Sequence, residues 1–124
     1  MDERPILVVE DNEVNAMLVG KILSHLGHSA VFQGNGEDAC AWCNEHVPSL
    51  IFMDVSLPGI DGLEVTRRLR EKPEYADVPI VALTAHALKG WEEKSRDAGC
   101  NEYLSKPVRL RDLAACIKRH LSPS

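Results

Sequence analysis

The chain is short of positive charge: 14 Lys and Arg stand against 19 Asp and Glu, a net charge of −5. A nucleic-acid groove or an anionic membrane surface needs clustered basic residues, so this balance argues against both partners. Long apolar runs are missing as well. No stretch approaches the ~20 residues of a membrane-spanning helix. The opening MDERPILVV is acidic before it is apolar and lacks a small-residue cleavage site, so it does not read as a signal peptide. The expectation is a cytoplasmic protein. There are no repeats, low-complexity tracts or linkers, and no glycine-rich phosphate loop, which argues against a bound nucleotide. What is left is an ordinary globular composition, 44% apolar and 27% charged over 124 residues. That length predicts one domain spanning residues 1–124. Such a domain buries roughly two-thirds of the surface its unfolded chain exposes.

Cysteines are few: Cys40, Cys43, Cys100 and Cys116. Cys40 and Cys43 form a C-x-x-C. Redox pairs of that spacing sit at a helix N-terminus just after a strand, where the thiol pKa is lowered. Here the pair lies inside the helical stretch GEDACAWCNEH, and no His stands at zinc-finger spacing from it. Packing of small apolar side chains is the favoured reading.

Three apolar runs, Ile6 to Val9, Leu50 to Met53 and Ile80 to Leu83, are continuous rather than alternating, as suits parallel strands covered on both faces. Ser29 to Gln33 and Asn101 to Ser105 are weaker strand candidates. Helices are expected between them. The first runs from Glu13 to Leu26 with Val14, Met17, Leu18, Ile22 and Leu26 as its inward stripe and Gly27 as its stop. Others are Gly36 to His46, Asp61 to Glu71 with Asp61 as N-cap, and Leu88 to Ala98 ended by Gly99. The last carries Leu110, Leu113, Ala114, Ile117 and Leu121 at helical spacing. Strands alternating with helices in this way predict an α/β fold: a parallel sheet with helices on both faces. In such sheets ligands bind beyond the carboxyl ends of the strands, where the winding reverses.

That rule gathers four strand ends on one edge: Glu10-Asp11, Asp54, Thr84 and Lys106. Taken singly each has a plain reading, as an N-cap, a satisfied hydroxyl or a solvated lysine. An acid closing the apolar run LIFM is harder to dismiss, because it is partly desolvated. Three crowded carboxylates repel, and a divalent cation relieves that repulsion. Oxygen ligands suit Mg²⁺, which keeps waters and shares its shell with phosphate. Lys106 is suited to bind phosphate, Thr84 offers a hydroxyl donor, and Asp54 is a candidate nucleophile able to form an acyl phosphate.

The stretches VVEDN at Val8 to Asn12, FMDVSLPGIDG at Phe52 to Gly62, ALTA at Ala82 to Ala85 and YLSKP at Tyr103 to Pro107 carry a family resemblance. From about Arg4 to Leu121 the chain resembles the receiver domain of bacterial two-component response regulators, the CheY-like fold. DNEVNAML, LTAHALKG and AGCNEYLSKP are similar to stand-alone receivers of the DivK type and to receivers of hybrid histidine kinases. The resemblance implies a flavodoxin-like (βα)5 architecture with strand order 2-1-3-4-5. It makes Asp54 the phosphoacceptor and Glu10 and Asp11 the acid pair that binds Mg²⁺ (or Mn²⁺), with the Ser56 backbone carbonyl as a further metal ligand. Thr84 and Lys106 would contact phosphoryl oxygens, Tyr103 would be the aromatic switch, and the bond before Pro107 would be cis. Glu10 stands where the family commonly has Asp, and Ser56 and His86 occupy positions that tune phosphoryl lifetime.

The implied function is a regulatory phosphoacceptor that assists its own phosphorylation and dephosphorylation without being a turnover enzyme. Its partners would be a histidine kinase or histidine phosphotransferase and a downstream effector protein, with the chain a monomer or a phosphorylation-linked dimer. The chain ends soon after its last helix, so no output domain is expected. Two rivals stay open. An aspartyl-phosphate phosphatase would usually carry an acid where Ser56 stands. A docking module without phosphorylation would have lost an acid or the lysine. Trp42 and Trp91 are candidates for partner contact or for half-buried packing.

Overall fold

The structure, a computed structural model, describes residues 4–85 and 90–121. His86 and the side chain of Trp91 lie outside that description, as does the start expected for the fourth helix. The described strands are β1 (Ile6–Val9), β2 (Ala30–Gln33), β3 (Leu50–Asp54), β4 (Ile80–Thr84) and β5 (Glu102–Ser105). The helices are α1 (Glu13–His25), α2 (Gly36–Cys43), α3 (Gly62–Arg70), α4 (Trp91–Ala98) and α5 (Leu110–Leu121), with a 3₁₀ turn at Pro73–Tyr75. All strands pair in parallel, in the order β2-β1-β3-β4-β5. The winding therefore reverses between β1 and β3.

The apolar runs conceal a period of two. Leu7, Val9, Ile51, Met53, Ile80 and Ala82 face a core shared with α2, α3 and the end of α4. Their neighbours Ile6, Val8, Leu50, Phe52, Val81 and Leu83 face a second core shared with α1 and α5. Both sets are essentially without solvent contact, which is why the runs carry no polar alternation. Short polar side chains start the helices. Asn12, Asn35 and Asp61 each accept from the backbone N–H three residues on, at 3.0, 2.8 and 2.9 Å. Gly27 and Gly99 close α1 and α4 at φ +87° and +116°, a conformation that favours glycine.

Three expectations are corrected. In α1 the buried residues are Val19 and Leu23. Val14, Met17 and Leu18 are 74%, 60% and 43% exposed, while Ile22 and Leu26 are half-buried. A stripe drawn through the apolar residues alone is too broad. The side of the helix turned to the core is the one marked by Val19 and Leu23. Leu110 is likewise 47% exposed in the first turn of α5, where Cys116 joins Leu113 and Ile117 inside.

Helix α2 ends at Cys43 rather than His46. Pro48 biases the residue before it away from helical geometry. The His46 carbonyl turns instead to the buried Tyr75 hydroxyl, which donates to it at 2.5 Å and lies 3.3 Å from the Cys43 carbonyl. Tyr75→Phe keeps the packing and removes that tie. It should lower the urea midpoint by the equivalent of about 1–2 kcal/mol with an unchanged slope.

Candidate functional site

The carboxyl edge at the β1/β3 reversal holds the predicted acids. Glu10 continues β1, its N–H bonding the Gln33 carbonyl at 3.0 Å, and its side chain is buried. Asp54 ends β3 with 1% exposure. Asp11 is exposed beside them. One oxygen from each of these carboxylates lies within 4.8 Å of the others. Lys106 reaches in from the end of β5, its Nζ 2.7 Å from Glu10 Oε2 and 3.0 Å from Asp54 Oδ2. Thr84, fully buried at the end of β4, accepts the Lys106 N–H on its carbonyl at 2.7 Å. The Lys106–Pro107 bond is cis. Tyr103, half-buried on β5 opposite Ala82, packs against the α2/α3 core. The sequence-predicted residues thus meet at one edge, Tyr103 excepted, which lies further back along its strand.

Charge at this edge is unbalanced. Burial, and then the Asp54 charge, push the Glu10 carboxyl above the ordinary range, against the pull of Lys106 and the Asn12 N–H. For Lys106, burial opposes the ammonium, but the Glu10 and Asp54 carboxylates at 2.7 and 3.0 Å outweigh it and raise its pKa. Glu10 Oε2 meets Lys106 as an ion pair and has no directed hydrogen bond. Its other oxygen accepts from Asn12 N–H at 3.1 Å. A buried carboxylate oxygen without a directed donor, inside a set of hard oxygen ligands carrying more negative charge than one lysine offsets, fits a divalent cation of the Mg²⁺ type.

Local backbone fixes the acid. Ser56 N–H donates to Asp54 Oδ1 at 2.9 Å, the Asx-type turn that follows a strand-ending acid. Ser56 itself is exposed. Beyond it, α3 begins hard against the site. A Cβ at Gly62 would collide with the Asp54 carbonyl and stand 2.9 Å from the Val55 Cα. Sequence reasoning read Asp61-Gly62 only as a turn and helix start, and so missed this close approach. It also missed the exposure of Val14, Met17 and Leu18 on α1. Leu18 lines a small crevice there with Glu10, Asn15 and Lys106.

The C-x-x-C is not part of the site. Cys43 is buried in the core, Cys40 is half-buried, and burial raises both thiols above the ordinary range, the opposite of a redox pair. Trp42 is half-buried and stacked on His46 at 4.6 Å. A substitution at the close approach probes the acid's backbone seat. Gly62→Ala should destabilise the fold by about 3 kcal/mol or more, because the added atom meets backbone rather than a yielding side chain. The Asp54 amide resonance should shift in whatever fraction stays folded.

Known proteins share this fold. A family profile described as response regulator receiver domain matches residues 6–118. The polar-differentiation response regulator DivK of Brucella anthropi is 39% identical over 118 residues, 95% of this chain and 96% of that protein. The receiver domain of a sensor histidine kinase from Pseudomonas aeruginosa, solved with a magnesium ion coordinated in its active-site cleft, is 35% identical. It superposes with a TM-score of 0.90 over 98% of this chain and 100% of that one. The signal receiver domain of a histidine kinase from Syntrophus aciditrophicus is 30% identical, with a TM-score of 0.88 over 96% and 90%.

Proposed function

The chain belongs to the response regulator receiver-domain family, the phosphoacceptors of two-component signalling, and on that premise we propose that Asp54 takes a phosphoryl group from a partner phosphohistidine. The observation that carries this reading is the placement of Asp54: buried at the strand end, 3.0 Å from the Lys106 ammonium and grouped with the Glu10 and Asp11 carboxylates. A lone pair on an Asp54 oxygen forms the new P–O bond. The P–N bond to the donor imidazole breaks, and its electron pair stays on that nitrogen. The Ser56 N–H holds the Asp54 carboxylate in place for in-line attack, and Lys106 supplies positive charge beside the transferred group. Mg²⁺ (or Mn²⁺), held by Glu10, Asp11, Asp54 and the Ser56 carbonyl, would supply charge neutralisation at the phosphoryl oxygens when bound.

The product carries about −1.5 to −2 of charge. That charge draws Thr84 and Lys106 toward it, Tyr103 follows, and the surface of α4, β5 and α5 changes population between two states. An effector protein reads the change. In this reading residues 1–124 are a single regulatory domain of the cytoplasm. Ser56 stands where an aspartyl phosphatase needs a second acid, so the protein is not built for turnover on small phosphoesters. Val14, Met17 and Leu18 are exposed apolar residues of α1, and Leu18 lines the crevice beside the cleft, a surface suited to a helical face presenting the phosphohistidine.

Intact mass after incubation with acetyl phosphate and Mg²⁺ tests the acceptor. One phosphoryl adduct is expected, absent with EDTA and absent in Asp54→Asn, whereas an adduct that survives in Asp54→Asn would overturn the assignment. The exposed face of α1 is tested separately by Met17→Glu. It should slow transfer from a cognate phosphohistidine protein about tenfold or more, since a charge is buried at the contact, while leaving labelling by acetyl phosphate unchanged.

A further inference from the structure

A second cluster of ligating side chains lies away from Asp54, between β5 and α5. Cys116 and His120 are one helical turn apart on α5 and share a face. Glu102, the first residue of β5, points between them. Cys116 Sγ is 3.3 Å from Glu102 Oε2, His120 Nε2 is 2.8 Å from the same oxygen, and the three ligand atoms lie within 4.8 Å of one another. Around zinc, sulfur sits at about 2.3 Å and nitrogen or oxygen at about 2.0–2.2 Å, so tetrahedral neighbours are about 3.3–3.7 Å apart. Shifts of a few tenths of an ångström would bring the two measured distances into that range.

We propose that Glu102, Cys116 and His120 form a zinc site on the β5/α5 face, with a fourth position open to water. The thiol is fully buried, whereas the Glu102 and His120 side chains are 22% and 19% exposed, so the open position faces solvent. A soft thiolate with an imidazole selects Zn²⁺ over Mg²⁺, the reverse of the all-oxygen set at Asp54. Arg119 pairs with Oε1 of Glu102, leaving Oε2 to the ion and acting as the outer partner that orients the carboxylate.

On binding, the Cys116 Sγ proton passes to solvent, as does any proton on His120 Nε2. The two negative ligands then balance the metal charge. Without metal, burial and then the Glu102 charge push the Cys116 thiol up to about 12, so the sulfur is no nucleophile. Burial works to raise Glu102, but hydrogen bonds from His120, Arg119 and Cys116 outweigh it and keep it a charged ligand. A bound ion would tie β5 to α5 across the core.

The site is independent of the phosphoacceptor reading and is tested with the oxygen site saturated. The full chain, reduced with a phosphine and held in excess Mg²⁺, is titrated with Co²⁺ and then Zn²⁺. One equivalent should develop a thiolate-to-cobalt charge-transfer band that Zn²⁺ abolishes. Cys116→Ser should remove the band, Cys40→Ser should leave it, and His120→Gln should weaken affinity about tenfold or more. His120 lies near the end of α5 outside the core, so its variant tests the site even where Cys116→Ser fails to fold. No band, a band that persists in Cys116→Ser, or undiminished affinity in His120→Gln overturns the proposal.

Discussion

One ammonium group holds the carboxyl edge together. Lys106 Nζ contacts both Glu10 and Asp54, two carboxylates that the sheet has removed from water. Breaking a buried pair leaves an uncompensated charge, which costs far more than an exposed ion pair contributes. The reach required is set by the topology. Strands stand about 4.8 Å apart, so β5 lies roughly 10 Å from β3 and roughly 14 Å from β1. Only a long side chain turned inward from the end of β5 spans that gap, and it must pass the end of β4, where Thr84 sits. The strand order, the cis bond after Lys106 and the strand-ending acids belong to one arrangement.

Much of this was legible in the chain. Continuous apolar runs marked the strands, because parallel strands covered on both faces have no polar side to show. Glu10-Asp11 and Asp54 were legible because they follow such runs, Lys106 because it follows the weaker strand candidate Asn101 to Ser105, and the rule for ligands at the carboxyl edge placed them together without coordinates. The sheet order came from the family resemblance, since short strands do not announce their neighbours.

What was not legible depends on tertiary cover. Periodicity showed that α1 is amphipathic but not where its covering sheet stops, so Val14, Met17 and Leu18 were placed inside. The end of α2 turned on a hydroxyl from Tyr75, 29 residues away from the carbonyl it binds. Arg70 was equally hidden. Its guanidinium bonds the carbonyls of Tyr75, Val78 and Gly99 and the side chain of Asn101, whose oxygen also accepts the Ile80 N–H. That clamp joins α3 to the turn before β5, and nothing in the local sequence distinguishes it from the exposed Arg67 and Arg68. The Glu102, Cys116 and His120 cluster was missed for the same reason: its spacing is ordinary until β5 and α5 are brought face to face.

The double-sided core makes β3 a ruler. Leu50 and Phe52 serve one core while Ile51 and Met53 serve the other, and Asp54 is the next mark. Adding or deleting one residue within the strand would exchange the two cores and turn the acid to the opposite face of the sheet. The length from Leu50 to Asp54 is therefore fixed by packing before any chemistry is considered. Descendants of this chain should vary in length at the open loops of the amino edge, such as the turn at Gly27 between α1 and β2, and leave the strand count alone. An address written in strand register drifts more slowly than one written in a loop.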